Sequence, residues 1–193
     1  TIDKEIILIM MKDKFRIQRY IEYFSPEIKP FIDEEFKELI CTKEQNETNE
    51  EIDLINEICK EKPDDFEDNR KFGENCDPLC KIIQKDLIEE FIIYVNKNQY
   101  SLDNIIDNSV FETNPLLLKK VECSLIQYAA FFGAIQIFKY LYKNGIELTP
   151  LLWIYAIHGD DSEIISILEE NKVEFFLKYE RCIREAIKCH HNH

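Results

Sequence analysis

Apolar residues recur every three or four positions in successive stretches of the chain, which is the spacing of one face of an α-helix. In the N-terminal third these stretches cover residues 2–10, 17–24, 31–40 and 52–59. Pro26, Pro30 and Pro63 fall between or just after them, where proline commonly marks a helix boundary. The chain has only four glycines and six prolines, fewer than the turns of a β-rich protein usually need. The pattern therefore predicts an all-α fold.

A change in composition suggests two parts. The segment Asp64–Glu74 is acidic and poor in apolar residues, so we interpret it as a connector. Residues 1–75 would then form a helical N-terminal cap, and residues 76–193 would form a second domain.

The second domain contains an internal repeat, seen most clearly in residues 124–145. Here two amphipathic segments are separated by Gly133 and closed by Gly145. Glycine allows a sharp turn because it adopts positive φ at little cost, and it commonly follows the last residue of a helix. Ala129 and Ala130 are small where the first helix would press against its neighbours. This unit therefore predicts a helix, a tight turn and a second helix.

Other stretches fit the same frame, so that about four degenerate helix pairs are predicted, near residues 77–98, 124–145, 150–172 and 179–193. Asp86 stands where the first unit would have its turn glycine, and Gly159 is taken as the turn glycine of the third. Gly133 and Gly159 are 26 residues apart, less than the ~33 of a standard ankyrin repeat. An insertion at 99–123 is too apolar for a free linker, and we expect it to pack on the helices beside it.

The run from Ser124 to Gly145 resembles an ankyrin repeat, whose pattern opens Thr-Pro-Leu-His-x-Ala-Ala-x-x-Gly and closes with a glycine after a second helix. Together with Trp153–Gly159, it is similar to divergent ankyrin-repeat proteins of the kind found in some protists. The resemblance implies an ankyrin-like α-solenoid behind the N-terminal cap. It also implies a non-catalytic protein–protein interaction module, with the first helices lining the side where partners dock.

Aromatic side chains on the predicted first helices are the candidate interface residues, because large aromatic groups are strong binding anchors. The alternative is that they simply pack in the core. Both interpretations stay open for this set: Tyr128, Phe131, Phe132, Trp153, Tyr155 and His158.

Charge and cysteine content restrict the partners. The formal net charge is −14, so a phosphate backbone or an anionic membrane surface would be repelled on average. We therefore expect no nucleic acid and no membrane partner. The expected partner is another protein, either a basic one or a component of a large assembly. Seven cysteines at irregular spacing argue against a disulfide framework and indicate a reducing, cytoplasmic location, with cytoskeletal association as a variant. The apolar run Ile6–Met11 is far too short to span a bilayer.

No catalytic motif is present, so we expect no enzyme, no cofactor and no metal. Asp160, Asp161 and Ser162 are interpreted as the capped start of a helix. Two alternatives to the interaction module are kept. One is a structural subunit of a cytoskeletal or axonemal, microtubule-associated assembly. The other, which we favour less, is a metal-binding protein that uses the tail Cys189–His193, because cysteine and histidine are zinc ligands.

Overall fold

The computed structural model describes residues 22–29, 60, 62–114, 116–118, 123–175 and 179–188. Within these ranges the chain is mostly helical, which confirms the predicted all-α class, although one short strand pair was not predicted. The elements in chain order are α1 (Ser25–Ile28), α2 (Phe66–Phe72), α3 (Pro78–Gln84), α4 (Ile88–Lys97), β1 (Ile105–Ile106), β2 (Cys123–Ser124), α5 (Leu125–Phe131), α6 (Ile135–Lys143), α7 (Leu152–Gly159), α8 (Ser162–Glu170) and α9 (Tyr179–Lys188).

The chain divides into two units. Residues up to Glu74 belong to the first unit together with Val110–Glu112. Asn75–Ser109 and the residues from Thr113 onward belong to the second. Among the described residues, no helix is both long enough and apolar enough to cross a membrane.

In the first unit, α2 corrects the prediction of a connector at 64–74. Glu67 and Asp68 lie in its first turn, where negative charge is favourable, and Gly73 ends it in the left-handed conformation. Phe66 is buried and its ring contacts Phe111 edge-on at 5.2 Å. An acidic composition therefore concealed a short helix that is anchored by one aromatic residue.

An ion pair joins α1 and α2. The two terminal guanidinium nitrogens of Arg70 donate to the Glu27 carboxylate, at 2.7 and 2.6 Å. Arg70 also donates to the Tyr23 carbonyl at 3.1 Å, and the Tyr23 hydroxyl donates to the Arg70 carbonyl at 3.1 Å. Such two-pronged pairing is the strong form of an arginine–carboxylate contact.

We expect Glu27 to titrate below the ordinary glutamate value of 4.5, since the Arg70 hydrogen bonds lower its pKa more than partial burial raises it. The stability that this pair contributes is present above the unfolded-state pKa and is lost as the pH falls through the folded-state pKa. NMR titration of the Glu27 carboxyl carbon measures the midpoint. Arg70→Gln should raise that midpoint towards the ordinary value, whereas Lys71→Gln on the exposed side of α2 should not. A Glu27 titration midpoint that is unchanged in Arg70→Gln would contradict the pairing.

The second unit consists of three helix pairs, α3–α4, α5–α6 and α7–α8, followed by α9. The two helices of each pair contact one another. In addition, each first helix contacts the next first helix in the order α3, α5, α7, α9, and the second helices contact in the order α4, α6, α8. One continuous core runs through the unit, with residues such as Ile83, Phe91, Leu125, Leu141 and Leu168 almost fully buried.

The turn between the helices of each pair uses one residue in the left-handed conformation. These residues are Gly133, with φ 64°, and Asp86 and Asp160, with φ 50° and 51°. The predicted turn positions Gly133 and Asp86 are thus confirmed. Aspartate can take the place of glycine here because it tolerates the left-handed region better than most residues. Gly159 was assigned wrongly as a turn residue: it is the last residue of α7, and the turn falls one residue later. Asp161 caps α8 as predicted, accepting from the amides of Glu163 and Ile164 at 2.9 Å.

Asp86 also reaches into the next helix pair. Its carboxylate oxygens accept from the amides of Gln136 and Ile137, both at 3.0 Å, in the first turn of α6. The N-cap residue of α6 is Ala134, which cannot supply such a bond itself. A turn residue of one pair therefore caps the second helix of the following pair.

Replacing Asp86 tests this contact. Asp86→Ala should destabilise the second unit by about 1–2 kcal/mol through the lost cap, and by about 1 kcal/mol more because alanine disfavours positive φ. Asp86→Asn should lose less, because asparagine keeps one acceptor oxygen and tolerates this conformation. Urea unfolding followed by circular dichroism gives both values. Equal stability of the wild type and Asp86→Ala would show that the cap contributes nothing.

Gly159 is required for a different reason, the close approach of α5 and α7. A Cβ atom built on Gly159 would lie 2.2 Å from the carbonyl oxygen of Ala130 and 2.9 Å from the amide of Gly133. Both are backbone atoms and cannot swing aside. The glycine therefore sets how closely two successive first helices approach.

Gly159→Ala should destabilise the protein by about 1–3 kcal/mol through overpacking. In an exposed helix the same change would instead stabilise by about 1 kcal/mol. Gly145→Ala is the matched control, since nothing lies within 4 Å of its Cβ position and only its φ of 91° opposes alanine. Urea unfolding of both variants separates the two effects, and a stabilised Gly159→Ala would refute the steric argument.

The described residues of the insertion between α4 and α5 make several contacts with their neighbours. Ile105 and Ile106 pair antiparallel with Ser124 and Cys123. Asn75 donates to the carbonyl of Asp107 at 3.0 Å. Further along, Leu116 and Leu117 are buried in the core of the second unit. The expectation that the insertion packs on neighbouring helices is thus confirmed for its described part.

Candidate protein-interaction site

Three of the six aromatic candidates are buried between helices. Tyr128 is 1% exposed, and its hydroxyl accepts a hydrogen bond from Gln84 Nε2 at 2.9 Å. Phe131 and Tyr155 are also buried, with their ring centroids 6.5 Å apart. These contacts favour the core interpretation for the three residues. Tyr128 faces the preceding first helix, whereas Phe131 faces the following one.

The other three candidates are half-buried. Phe132 packs against Tyr128 at 4.8 Å between ring centroids. The His158 ring stacks on Phe131 at 3.8 Å, and its Nε2 lies 3.2 Å from Asn114 Nδ2. Trp153 donates from Nε1 to the carbonyl of Val173 at 3.2 Å. All six side chains have structural contacts, and a role in binding stays a prediction.

A second feature arises where the second helices end. Each ends at an asparagine whose side-chain amide donates to a carbonyl four residues back, at 2.8 Å in all three cases. The next residue is left-handed, and the amide after it bonds to a carbonyl five residues back. The three equivalent triplets are Asn98-Gln99-Tyr100, Asn144-Gly145-Ile146 and Asn171-Lys172-Val173.

These endings bring the connections that follow α6 and α8 close to each other. The hydroxyl of Tyr142 donates to Asn171 Oδ1 at 2.6 Å, which ties the second ending to the third. Between them lies an open cavity of about 580 Å³, which we call the loop groove. It is lined by Tyr142, Gly145, Ile146, Glu147, Leu148, Pro150, Asn171, Lys172, Val173 and Glu174.

The loop groove combines apolar side chains with unused backbone groups. Ile146, Leu148 and Val173 are half-buried and supply its apolar surface. Within the ranges that the structure describes, the backbones of Glu147, Leu148 and Glu174 make no hydrogen bond.

The residues that line the loop groove carry more negative than positive charge. Glu147 and Glu174 are exposed on the two walls, and Lys172 is the cation among the lining residues. Trp153 braces the second wall from behind, since its ring lies 5.4 Å from Phe175 and its Nε1 bonds to Val173. The groove thus presents an apolar surface with a carboxylate on each side.

Sequence reasoning missed these residues because they are neither aromatic nor part of a known motif. The signal that could have located them is the threefold recurrence of asparagine followed two residues later by an apolar residue. This recurrence marks where each second helix stops and its connection begins.

The described residues offer little metal or redox chemistry. They contain no cluster of three or more histidine, cysteine or acidic side chains that could hold a metal ion. Cys76, Cys80, Cys123 and Cys182 form no disulfide. The tail Cys189–His193, on which the metal-binding alternative rests, lies outside the described residues.

Comparisons of the chain with protein families, with curated proteins and with solved structures find no match.

Proposed function

We propose that the second unit is a short ankyrin-like stack that binds another protein and catalyses no reaction. The support for this reading is the repeated geometry: three helix pairs share the same left-handed turn, the same asparagine ending and the same order of neighbours. Stacking of such pairs supplies a continuous core and leaves an extended surface for recognition.

Within this function, the loop groove is the docking site, and its ligand is an extended segment with basic residues beside an aliphatic one. The observation that carries this choice is the pair of adjacent connections with unbonded backbone groups around apolar side chains. Main-chain pairing would give affinity, and the apolar surface would select side chains. The carboxylates of Glu147 and Glu174 would favour lysine or arginine on the ligand.

The alternatives carried from the sequence are a structural subunit of a cytoskeletal or axonemal assembly and a metal-binding tail. They stay predictions, as does a cytoplasmic location.

The docking site can be tested with an immobilised library of nine-residue peptides that contain two lysines or arginines beside one aliphatic residue. We expect Glu147→Lys/Glu174→Lys to weaken binding of the selected peptides about tenfold, since two rim charge pairs together contribute about 1–2 kcal/mol. Glu89→Lys/Glu90→Lys on α4 makes the same change in net charge away from the groove and should leave affinity unchanged. Fluorescence anisotropy with labelled peptides measures both.

Equal loss in the two variants would mean that the peptides respond only to net charge. If no library member binds more tightly than its scrambled or acidic counterpart, the loop groove is not a docking site.

A further inference from the structure

The carboxylate of Glu174 depends on its neighbours for its place in the loop groove. Within the described ranges, the Glu174 backbone makes no hydrogen bond that could fix it. Val173 before it is held twice: its amide donates to the Leu168 carbonyl at 3.0 Å, and its carbonyl accepts from Trp153 Nε1 at 3.2 Å. Phe175 after it is half-buried and contacts the same tryptophan, with ring centroids 5.4 Å apart and 70° between the rings. Trp153 therefore holds the residues on both sides of Glu174.

Trp153 is also joined to the other connection that lines the groove. It lies in the first turn of α7, and its backbone amide donates to the carbonyl of Pro150 at 3.4 Å. Pro150 belongs to the connection that follows α6 and lines the groove. One residue thus contacts the backbones of both connections, through its amide in one case and its indole in the other.

The residue at this position differs between the helix pairs. The second residue of α3 is Leu79 and that of α5 is Ile126. Both are 2% exposed and pack in the core. The second residue of α7 is Trp153, which is half-buried and carries a hydrogen-bond donor that an aliphatic side chain lacks. An aliphatic side chain would satisfy the packing, so the donor points to a role at the connection that it contacts.

We propose that Trp153 is a positioning residue of the loop groove, which keeps the Glu174 carboxylate where it meets a basic side chain of the ligand. This inference rests on the proposed function. The indole acts through Val173 and Phe175 and needs no contact with the ligand. A connection that is already held in place loses less conformational freedom on binding, so the ligand binds more tightly.

The peptides selected from the library are the probe, and fluorescence anisotropy with the whole 193-residue chain is the measurement. In the wild type, Glu174→Gln should weaken binding about threefold, the contribution of one exposed charge pair. In a Trp153→Leu background the same substitution should weaken binding by less than about 1.5-fold, because the carboxylate is no longer held in place. Glu147→Gln is the matched control. It changes the connection that follows α6 and should weaken binding about threefold in both backgrounds.

A second variant keeps the aromatic ring. Trp153→Phe retains a ring beside Phe175 but lacks the donor to Val173, so Glu174→Gln should weaken its binding about twofold, between the other two values. Tyr94→Leu is the control for loss of an aromatic contact. It removes a ring contact of similar geometry on α4, with 63° between the rings, and should leave the effect of Glu174→Gln as in the wild type.

Three outcomes count against the proposal, and they can be told apart. An undiminished effect of Glu174→Gln in both Trp153 variants would overturn it and leave the loop groove as a docking site. Loss of the Glu147→Gln effect in the same variants would mean that Trp153 supports the whole groove, and would overturn a role specific to Glu174. If the wild type binds no library peptide more tightly than its scrambled counterpart, the proposed function fails and this inference fails with it.

Discussion

The close approach of successive first helices is the constraint on which the second unit depends. At the end of α7 there is no room for even one methyl group between Gly159 and the backbone of Ala130. Ala130 and Ala156 also keep side chains small between the first helices, and both are fully buried. With the helices this close, larger side chains such as Tyr128 and Phe131 lie across the seam to the preceding or following helix. Helix pairs that are too short to be stable alone then share one core.

The same constraint explains the polar contacts at the turns. A left-handed residue between the two helices of a pair lets the second helix fold back at once, and aspartate serves at two of the three positions. Asp86 uses its side chain to cap α6 of the next pair, whereas Asp161 caps α8 from within its own pair. Turn chemistry thus reinforces stacking in the first case and helix formation in the second. The repeats share a backbone path without sharing the residues that hold it.

The structural features that could be predicted from the sequence are those that depend on neighbouring residues in the chain. The turn at Gly133, its counterpart Asp86 and the cap at Asp161 were predicted correctly, because each depends on the conformation of one residue and its nearest neighbours. Gly159 was misassigned because either it or Asp160 could have formed the turn. Only the distant contact with Ala130 shows why the glycine is needed in the helix. Helix α2 was missed for a similar reason, since its partners Glu27 and Phe111 are far away in the chain.

The candidate sites show the same division. Aromatic residues were reasonable candidates for a binding surface, yet Tyr128, Phe131 and Tyr155 are buried, because a side chain's identity does not reveal which face of its helix is covered. The loop groove depends on which backbone amides and carbonyls of two connections are left without a hydrogen bond, and no residue type encodes that directly.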